Sequence, residues 1–288
     1  MAKRILLLGA GGQLGQSFLA LANHFPELEF VSANRSQFDF LQPDTISALL
    51  QEVKPAVCIN CVAYTAVDLA EDEPEKAQAI NVEAVQQLAA TCQNMGILLV
   101  HFSTDYVFNG ARGEAYTEAD ETDPQSEYGR TKRDGERVIQ ASGAAHLIFR
   151  TSWLYSAFGK NFVKTMVHLG ADREELTVVD DQVGTPTYAA ELANTVLAWL
   201  RDGVTPEQYG LYHYSNEGVA TWYDFACAVM EYANLSARVI PVSSKVFQQK
   251  AKRPSFSLLA KNKIKNVRKI EIPHWRDSLR EYLHAGED

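Results

Sequence analysis

Cysteine is scarce: Cys 4 in 288 residues, at positions 58, 61, 92 and 227, without the spacing of a disulfide framework. That excludes the stapled fold of a small secreted domain and favours a reducing compartment. Long apolar runs are missing too. Met1-Ala2-Lys3-Arg4 leads into a short apolar stretch that breaks at glycines, too short for a signal segment or a membrane span. Basic charge is in deficit, with Lys+Arg 27 against Asp+Glu 36 and a formal net charge of -9. Such a chain repels a phosphate backbone, which argues against nucleic acid as a partner. No Ser/Gly linker or low-complexity tract interrupts it, so no hinge between independent domains is expected. The expectation is a soluble cytoplasmic protein that engages neither membrane nor nucleic acid.

What is present is ordinary globular composition, 46% hydrophobic and 22% charged, which excludes disorder and coiled coil. A chain of this length buries roughly three quarters of its unfolded surface and needs no staples. In the first half, apolar runs of strand length alternate with helical patterns. Strands are expected at Ile5–Leu8, Leu28–Ala33, Ala56–Asn60, Ile97–Ser103 and His146–Thr151. Helices are expected at Gln13–Asn23, Pro43–Val53, Pro74–Gln93 and Tyr128–Ala141. The strands are continuous rather than alternating, so both faces are buried, as in a parallel sheet covered by helices. The pattern predicts an α/β fold, a Rossmann-type doubly wound parallel sheet with a smaller C-terminal substrate-binding lobe. The expected division is residues 1–155 for a dinucleotide and residues 156–288 mainly for substrate, partly interleaved. The later short strands Leu176–Val179, Leu211–Ser215 and Arg238–Pro241 fall in that second lobe. So do helices near Tyr188–Leu200, Thr221–Tyr232 and Trp275–His284. The lysine-rich stretch Lys261–Lys265 reads as a solvated face, with anion binding as the alternative. Cys58 and Cys61 form a C-x-x-C on a strand. Residues three apart there point to opposite faces, so two buried structural thiols are expected rather than a redox or metal pair.

After the first strand the chain reads Gly9-Ala10-Gly11-Gly12-Gln13-Leu14-Gly15. Glycines at 9, 12 and 15 between a buried strand and a helix allow a tight turn and close backbone approach to a pyrophosphate at the helix N-terminus. An NAD site carries an acid at the end of the second strand. Here Asn34-Arg35 stands instead, and a guanidinium fork matches a 2′-phosphate. The expected cofactor is therefore NADPH, with NADH possible and Arg35 as a plain surface residue the alternative.

Tyr128-x-x-x-Lys132 puts a phenol and an ammonium on one helical face. The nearby cation is expected to lower the phenol pKa and make it a usable acid or base. Ser103-Thr104-Asp105-Tyr106 closes a buried strand at its carboxyl end, where open α/β sheets bind ligands. A hydroxyl there suits a substrate carbonyl.

The glycine turn, Thr104 and Tyr128-x-x-x-Lys132 resemble the extended short-chain dehydrogenase/reductase superfamily. Further segments narrow the resemblance: Asn60-Cys61-Val62-Ala63-Tyr64-Thr65-Ala66-Val67-Asp68, Ser103–Phe108, Arg150-Thr151-Ser152-Trp153, Asp180-Asp181-Gln182-x-Gly184-x-Pro186-Thr187, and Arg253-Pro254-x-x-Ser257-Leu258-Leu259. Together they are similar to the dTDP-4-dehydrorhamnose reductases over nearly the whole chain. The resemblance implies reduction of the C4 ketone of dTDP-4-dehydro-β-L-rhamnose to dTDP-L-rhamnose. It implies Tyr128 as proton donor, Lys132 at the nicotinamide ribose and Thr104 at the carbonyl oxygen. Gly9, Gly12, Gln13, Leu14 and Gly15 would lie at the pyrophosphate. Asn34, Arg35, Asp39 and Phe40 would lie at the adenosine end, with Ala63, Tyr64 and Thr65 along the middle. Val67, Asp105, Tyr106 and Trp153 would meet the sugar nucleotide. Asp39 as a turn cap and Trp153 as core packing are the alternatives.

One departure concerns metal. Family members that bridge a dimer through a divalent cation use a glutamate just after the glycine turn, where this chain has Gln16 and Ser17. A hard cation wants carboxylate oxygens, so a metal site is doubtful, Glu191 does not repair it, and monomer or homodimer stays open. Tyr106 replaces the glutamate of a dehydratase. Another epimerase or reductase of the superfamily remains an alternative, as does a non-enzymatic NADP-binding regulatory subunit.

Overall fold

The computed structural model describes residues 2–33, 38–247 and 249–284. Its strands of four residues or more are β1 (Lys3–Leu8), β2 (Leu28–Ala33), β3 (Val57–Asn60), β4 (Leu98–Thr104), β5 (His146–Thr151), β6 (Glu175–Val179), β7 (Gly210–His213) and β8 (Arg238–Val242). The longer helices are α1 (Gln13–Leu21), α2 (Pro43–Val53), α3 (Ala84–Met95), α4 (Glu127–Ser142), α5 (Phe162–Asp172), α6 (Ala189–Asp202), α7 (Trp222–Tyr232), α8 (Asn262–Arg268) and α9 (Trp275–His284).

Six strands pair in parallel in the order β7-β5-β4-β3-β1-β2. The apolar runs explain why. Ile5 and Leu7 of β1 pack on one side with Phe18 of α1, Val196 of α6 and Ile264 of α8. Leu6 and Leu8 pack on the other with Leu50 of α2, Leu88 of α3 and Ile139 of α4. Each strand feeds two cores by simple alternation. The same alternation separates the C-x-x-C: Cys58 lies in the second core and Cys61 against the first, both as free thiols.

The expected single helix over Pro74–Gln93 is interrupted. An α-turn at Pro74–Gln78 passes into a π-helical turn at Ala79–Glu83, and α3 then runs on to Met95, where Gly96 at φ +67° caps it. The second lobe packs α5, α7 and α9 around β6 and β8, with Tyr155, Val163, Phe225, Val229 and Trp275 in its core. Helix α5 lies outside the expected elements. Gly170 weakens its helical signal and lies close against the flexible end of Met230, where a Cβ would stand 2.6 Å from Sδ.

Two later segments depart from the expected placement. The strand expected at Leu211–Ser215 for the second lobe is β7, the edge of the main sheet beside β5. The lysine-rich stretch is not a simple solvated face. Lys261 is buried with its Nζ 3.2 Å from the Asn216 carbonyl, Lys265 pairs with Glu217 at 2.8 Å, and Lys263 donates to the Leu211 carbonyl. Ile264 is fully buried, so the stretch is a packed helix whose lysines cap neighbouring backbone. Among the described residues no helix is long and apolar enough to cross a membrane.

Candidate active site

Strand order reverses between β1 and β3, and the carboxyl ends of parallel strands at such a point face a crevice. The glycine turn leaves β1 there. Gly9 has φ +77°, and a Cβ on it would lie 2.9 Å from the Cys61 and Val62 backbone; a Cβ on Gly15 would lie 2.2 Å from the Gly9 carbonyl oxygen. These two glycines let the turn close and α1 pack against it. Gly11 meets nothing within 4 Å, and Gly12 is the N-cap of α1 with no side chain capping it. The turn therefore leaves open space in front of a helix N-terminus, which fits an anionic pyrophosphate. Gln13 Oε1 accepts from Ser156 Oγ and Asn161 Nδ2, both at 3.1 Å, fastening the turn to the loop before α5. The Leu14 side chain faces inward, into the sheet core.

Asn34 and Arg35 lie outside the described residues. Asp39 sits in a turn, its Oδ1 accepting from the Leu41 amide at 2.9 Å, and Phe40 is buried against Phe38. Ala63, Tyr64 and Thr65 follow the carboxyl end of β3. Asn81, in the π-turn, holds them: its Oδ1 accepts from Tyr64 N, and its Nδ2 donates to the Tyr64 carbonyl and to Thr131 Oγ1 of α4. Sequence reasoning passed over Asn81 because a polar residue inside a helical pattern carries no signal of its own.

Thr104, Tyr128 and Lys132 come together at the end of β4. Gly129 makes this possible: a Cβ there would be 2.3 Å from the Tyr106 carbonyl oxygen, so only glycine brings α4 this close. Thr104 Oγ1 donates to Asp105 Oδ1 at 3.0 Å and accepts from Tyr106 N; Ser257 Oγ donates to Asp105 Oδ2 at 2.5 Å. Burial raises the Asp105 carboxyl to about 6, with these donors opposing it. Tyr106 stands edge-on to Tyr128 with ring centroids 5.6 Å apart.

The pKa of Tyr128 runs opposite to expectation. Burial pushes the phenol up to about 12, while the Thr104 hydroxyl pulls it down. The lysine does not offset that burial, because its ammonium is directed elsewhere: Lys132 Nζ donates to the Phe102 carbonyl at 2.7 Å and lies 3.3 Å from His101 Nε2. Burial brings Lys132 itself down to about 8, against the opposing pull of Glu136 and Cys61.

Beyond Tyr106 a cavity of about 250 Å³ opens between the sheet and the second lobe, lined among others by Phe162, Met166, Gln182, Trp222, Phe247 and Arg253. Trp153 stacks on Trp222 with ring centroids 3.8 Å apart, itself at φ +47°, a strained conformation for a bulky side chain. Gly184 seats it, since a Cβ there would be 2.9 Å from the Trp153 ring. Val67 begins a short helical turn, Val67–Ala70, whose Asp68 makes a two-pronged pair with Arg253 at 2.7 and 3.1 Å. Trp222 and the Asp68–Arg253 pair were not singled out as site residues. Nothing in sequence spacing joins positions so far apart.

The positions weighed for a metal are engaged otherwise. Gln16 donates to the Gly11 carbonyl, and the Glu191 carboxylate accepts from Asn216 and from Ser278 at 2.7 Å. Among the described residues no three His, Cys, Asp or Glu side chains gather as a metal site.

The family model for the RmlD substrate binding domain matches residues 3–287. The dTDP-4-dehydrorhamnose reductase of Escherichia coli K12 is 36% identical, covering 97% of each chain. The spore coat polysaccharide biosynthesis protein SpsK of Bacillus subtilis is also 36% identical, over 97% of this chain and 96% of its own. Among solved structures, the dTDP-4-dehydrorhamnose reductase of Bacillus anthracis in complex with NADP superposes with a TM-score of 0.94 at 37% identity, covering 99% of this chain and 100% of that one. The chain is a member of the dTDP-4-dehydrorhamnose reductase family.

Proposed function

We propose that this protein reduces the C4 ketone of dTDP-4-dehydro-β-L-rhamnose with NADPH, giving dTDP-L-rhamnose. The observation that carries the reading is the convergence of Thr104, Tyr128 and Lys132 at the end of β4, between the glycine turn and the aromatic cavity. The relatives named as this enzyme, and the NADP in the Bacillus anthracis structure, support it. Residues 1–155 hold the cofactor and residues 156–288 mainly the sugar nucleotide, although β7 joins the main sheet and α6 covers one of its faces.

Gly9, Gly12 and Gly15 shape the cradle, with Gln13 and the backbone of Leu14 at the start of α1 against the pyrophosphate. Arg35 pairs with the 2′-phosphate, Asn34, Asp39 and Phe40 border the adenosine, and Ala63, Tyr64 and Thr65 follow the dinucleotide. NADPH supplies the hydride when bound. Tyr128, protonated at neutral pH because its pKa is about 12, gives its proton to the oxygen where negative charge develops. The Thr104 hydroxyl, itself buried, turns from Asp105 to that same oxygen and stabilises the charge. Lys132, held by Phe102, fixes the cofactor beside Tyr128. Val67, Asp105, Tyr106 and Trp153 orient the sugar nucleotide, with the Trp153–Trp222 stack forming an apolar wall.

Tyr128→Phe tests the assignment. NADPH affinity, measured by fluorescence titration, is expected to stay within about twofold. Turnover is expected to fall by roughly two to four orders of magnitude, the scale of general acid catalysis. Undiminished turnover removes Tyr128 from the proton-donor role.

A further inference from the structure

Behind Lys132 stands a buried side chain that the proposed reaction does not touch. His101 of β4 is 1% exposed. Its Nδ1 lies 3.1 Å from Asn60 Nδ2 at the end of β3, and its Nε2 lies 3.3 Å from Lys132 Nζ. The direction of these contacts can be worked out. Val62 N donates to Asn60 Oδ1 at 3.0 Å, so the amide end facing the imidazole is the NH2. An amide NH2 only donates, hence Nδ1 accepts and the ring proton sits on Nε2. That Nε2–H points at Lys132. An ammonium has three donors and no acceptor, whereas an uncharged amine offers a lone pair. The contact is therefore a hydrogen bond only while Lys132 is an amine; with the ammonium, two donors face each other in a buried site. Turning the Asn60 amide round relocates the conflict, setting its NH2 against Val62 N–H.

We propose that His101, fixed by Asn60 as the Nε2–H tautomer, is a positioning residue that favours the uncharged amine of Lys132 and so makes it a group that exchanges its proton in the working pH range. The surroundings agree. Glu136, one turn along α4, is the carboxylate whose charge favours the ammonium, but it is already engaged by Arg150 at 2.6 and 2.9 Å and by Ser103. Cys61 pulls the same way more weakly; Tyr128, four residues back on α4, is held protonated by its own burial. Burial keeps His101 neutral and brings Lys132 to about 8. The inference deepens the reading of Lys132 as a cofactor-site residue and rests on it.

The test begins without substrate or cofactor. Nitrogen-15 NMR of the protein labelled in histidine, with His101 assigned by loss of its signals in His101→Gln, reports which ring nitrogen is protonated. The expected result is a bare Nδ1 and a protonated Nε2; a protonated Nδ1 overturns the proposal even if the enzyme reduces its substrate as proposed. The second arm uses Asn60→Asp, whose carboxylate accepts from Nδ1–H, reverses the tautomer and lets Nε2 accept from the ammonium. The side-chain carbon resonance of Lys132 should then titrate at least about tenfold higher in proton affinity, one pH unit, and the matching limb of the turnover profile should move with it. Titration at an unchanged pH in a variant that binds NADPH normally overturns the proposal. If the tautomer is as expected but no ketone is reduced, the proposed reaction fails and the tautomer assignment stands.

Discussion

The two sides of the site are built from different material. On the side proposed for the dinucleotide the chain places backbone: Gly9 and Gly15 let carbonyls and amides approach within distances a Cβ forbids, and Gly12 leaves a helix end uncapped. On the side proposed for the sugar nucleotide it places aromatic side chains from segments far apart, with Trp153 on Trp222 and Phe162, Phe247 and Tyr106 around the cavity. A backbone cradle is written in consecutive residues. An aromatic wall is assembled by tertiary folding.

The largest effect expected from this contrast is at the turn. Gly15→Ala sets a Cβ 2.2 Å from the Gly9 carbonyl oxygen, and the displaced α1 should cost about 3 kcal/mol or more, with NADPH binding lost. Gly11→Ala, whose Cβ meets nothing within 4 Å, should leave the melting temperature within a degree or two and act only through the cofactor. Equal damage from both would mean that the turn is flexible loop rather than a fitted cradle. Next in size is Trp222→Ala. It removes the ring stacked on Trp153, and KM for the sugar nucleotide should rise on the order of tenfold while NADPH affinity holds, since a stacked aromatic pair contributes about 1 kcal/mol beyond its buried area. A change in NADPH affinity instead of KM would erase the division between the two sides.

The smallest and sharpest effect concerns Asp105, where the two sides meet. Its folded pKa, about 6, lies above the ordinary 3.8, so the native state holds the proton more tightly than the unfolded chain. Its penalty on stability is absent below 3.8, grows as pH rises, and is fully present above about 6. Asp105→Asn removes the charge and keeps one of the two acceptors, the other hydroxyl turning to accept from the new NH2. Its melting temperature relative to the parent should climb between those two pH values and level off above them. A flat difference across that window would place the Asp105 carboxyl in a wetter setting than its burial indicates.

The same contrast decides how much was legible beforehand. β1 to β5 read clearly because strands buried on both faces are uninterrupted apolar runs, and the Tyr128–Lys132 spacing survives as one helical face. Thr104 was legible as a polar residue ending such a run. Helix α5 was not, because Gly170 weakens its helical pattern. Lys261 looked solvated because composition does not show that the Asn216–Glu217 segment presents a carbonyl and a carboxylate to it. The pKa of Tyr128 was expected to fall, since spacing along a helix gives proximity to a cation but not the burial that outweighs it, nor the Phe102 carbonyl that draws the lysine aside. Short-range geometry is written in the chain. Desolvation is a property of the assembled fold.

The measurement closest to the central claim is the near-ultraviolet absorbance of reduced nicotinamide, followed with purified protein, NADPH and the dTDP-linked 4-keto-6-deoxy-L-sugar. The account predicts substrate-dependent loss of that absorbance with dTDP-L-rhamnose as product, faster with NADPH than with NADH. Tight NADPH binding with no oxidation in the presence of the ketone would contradict it and leave a binding or regulatory protein in its place.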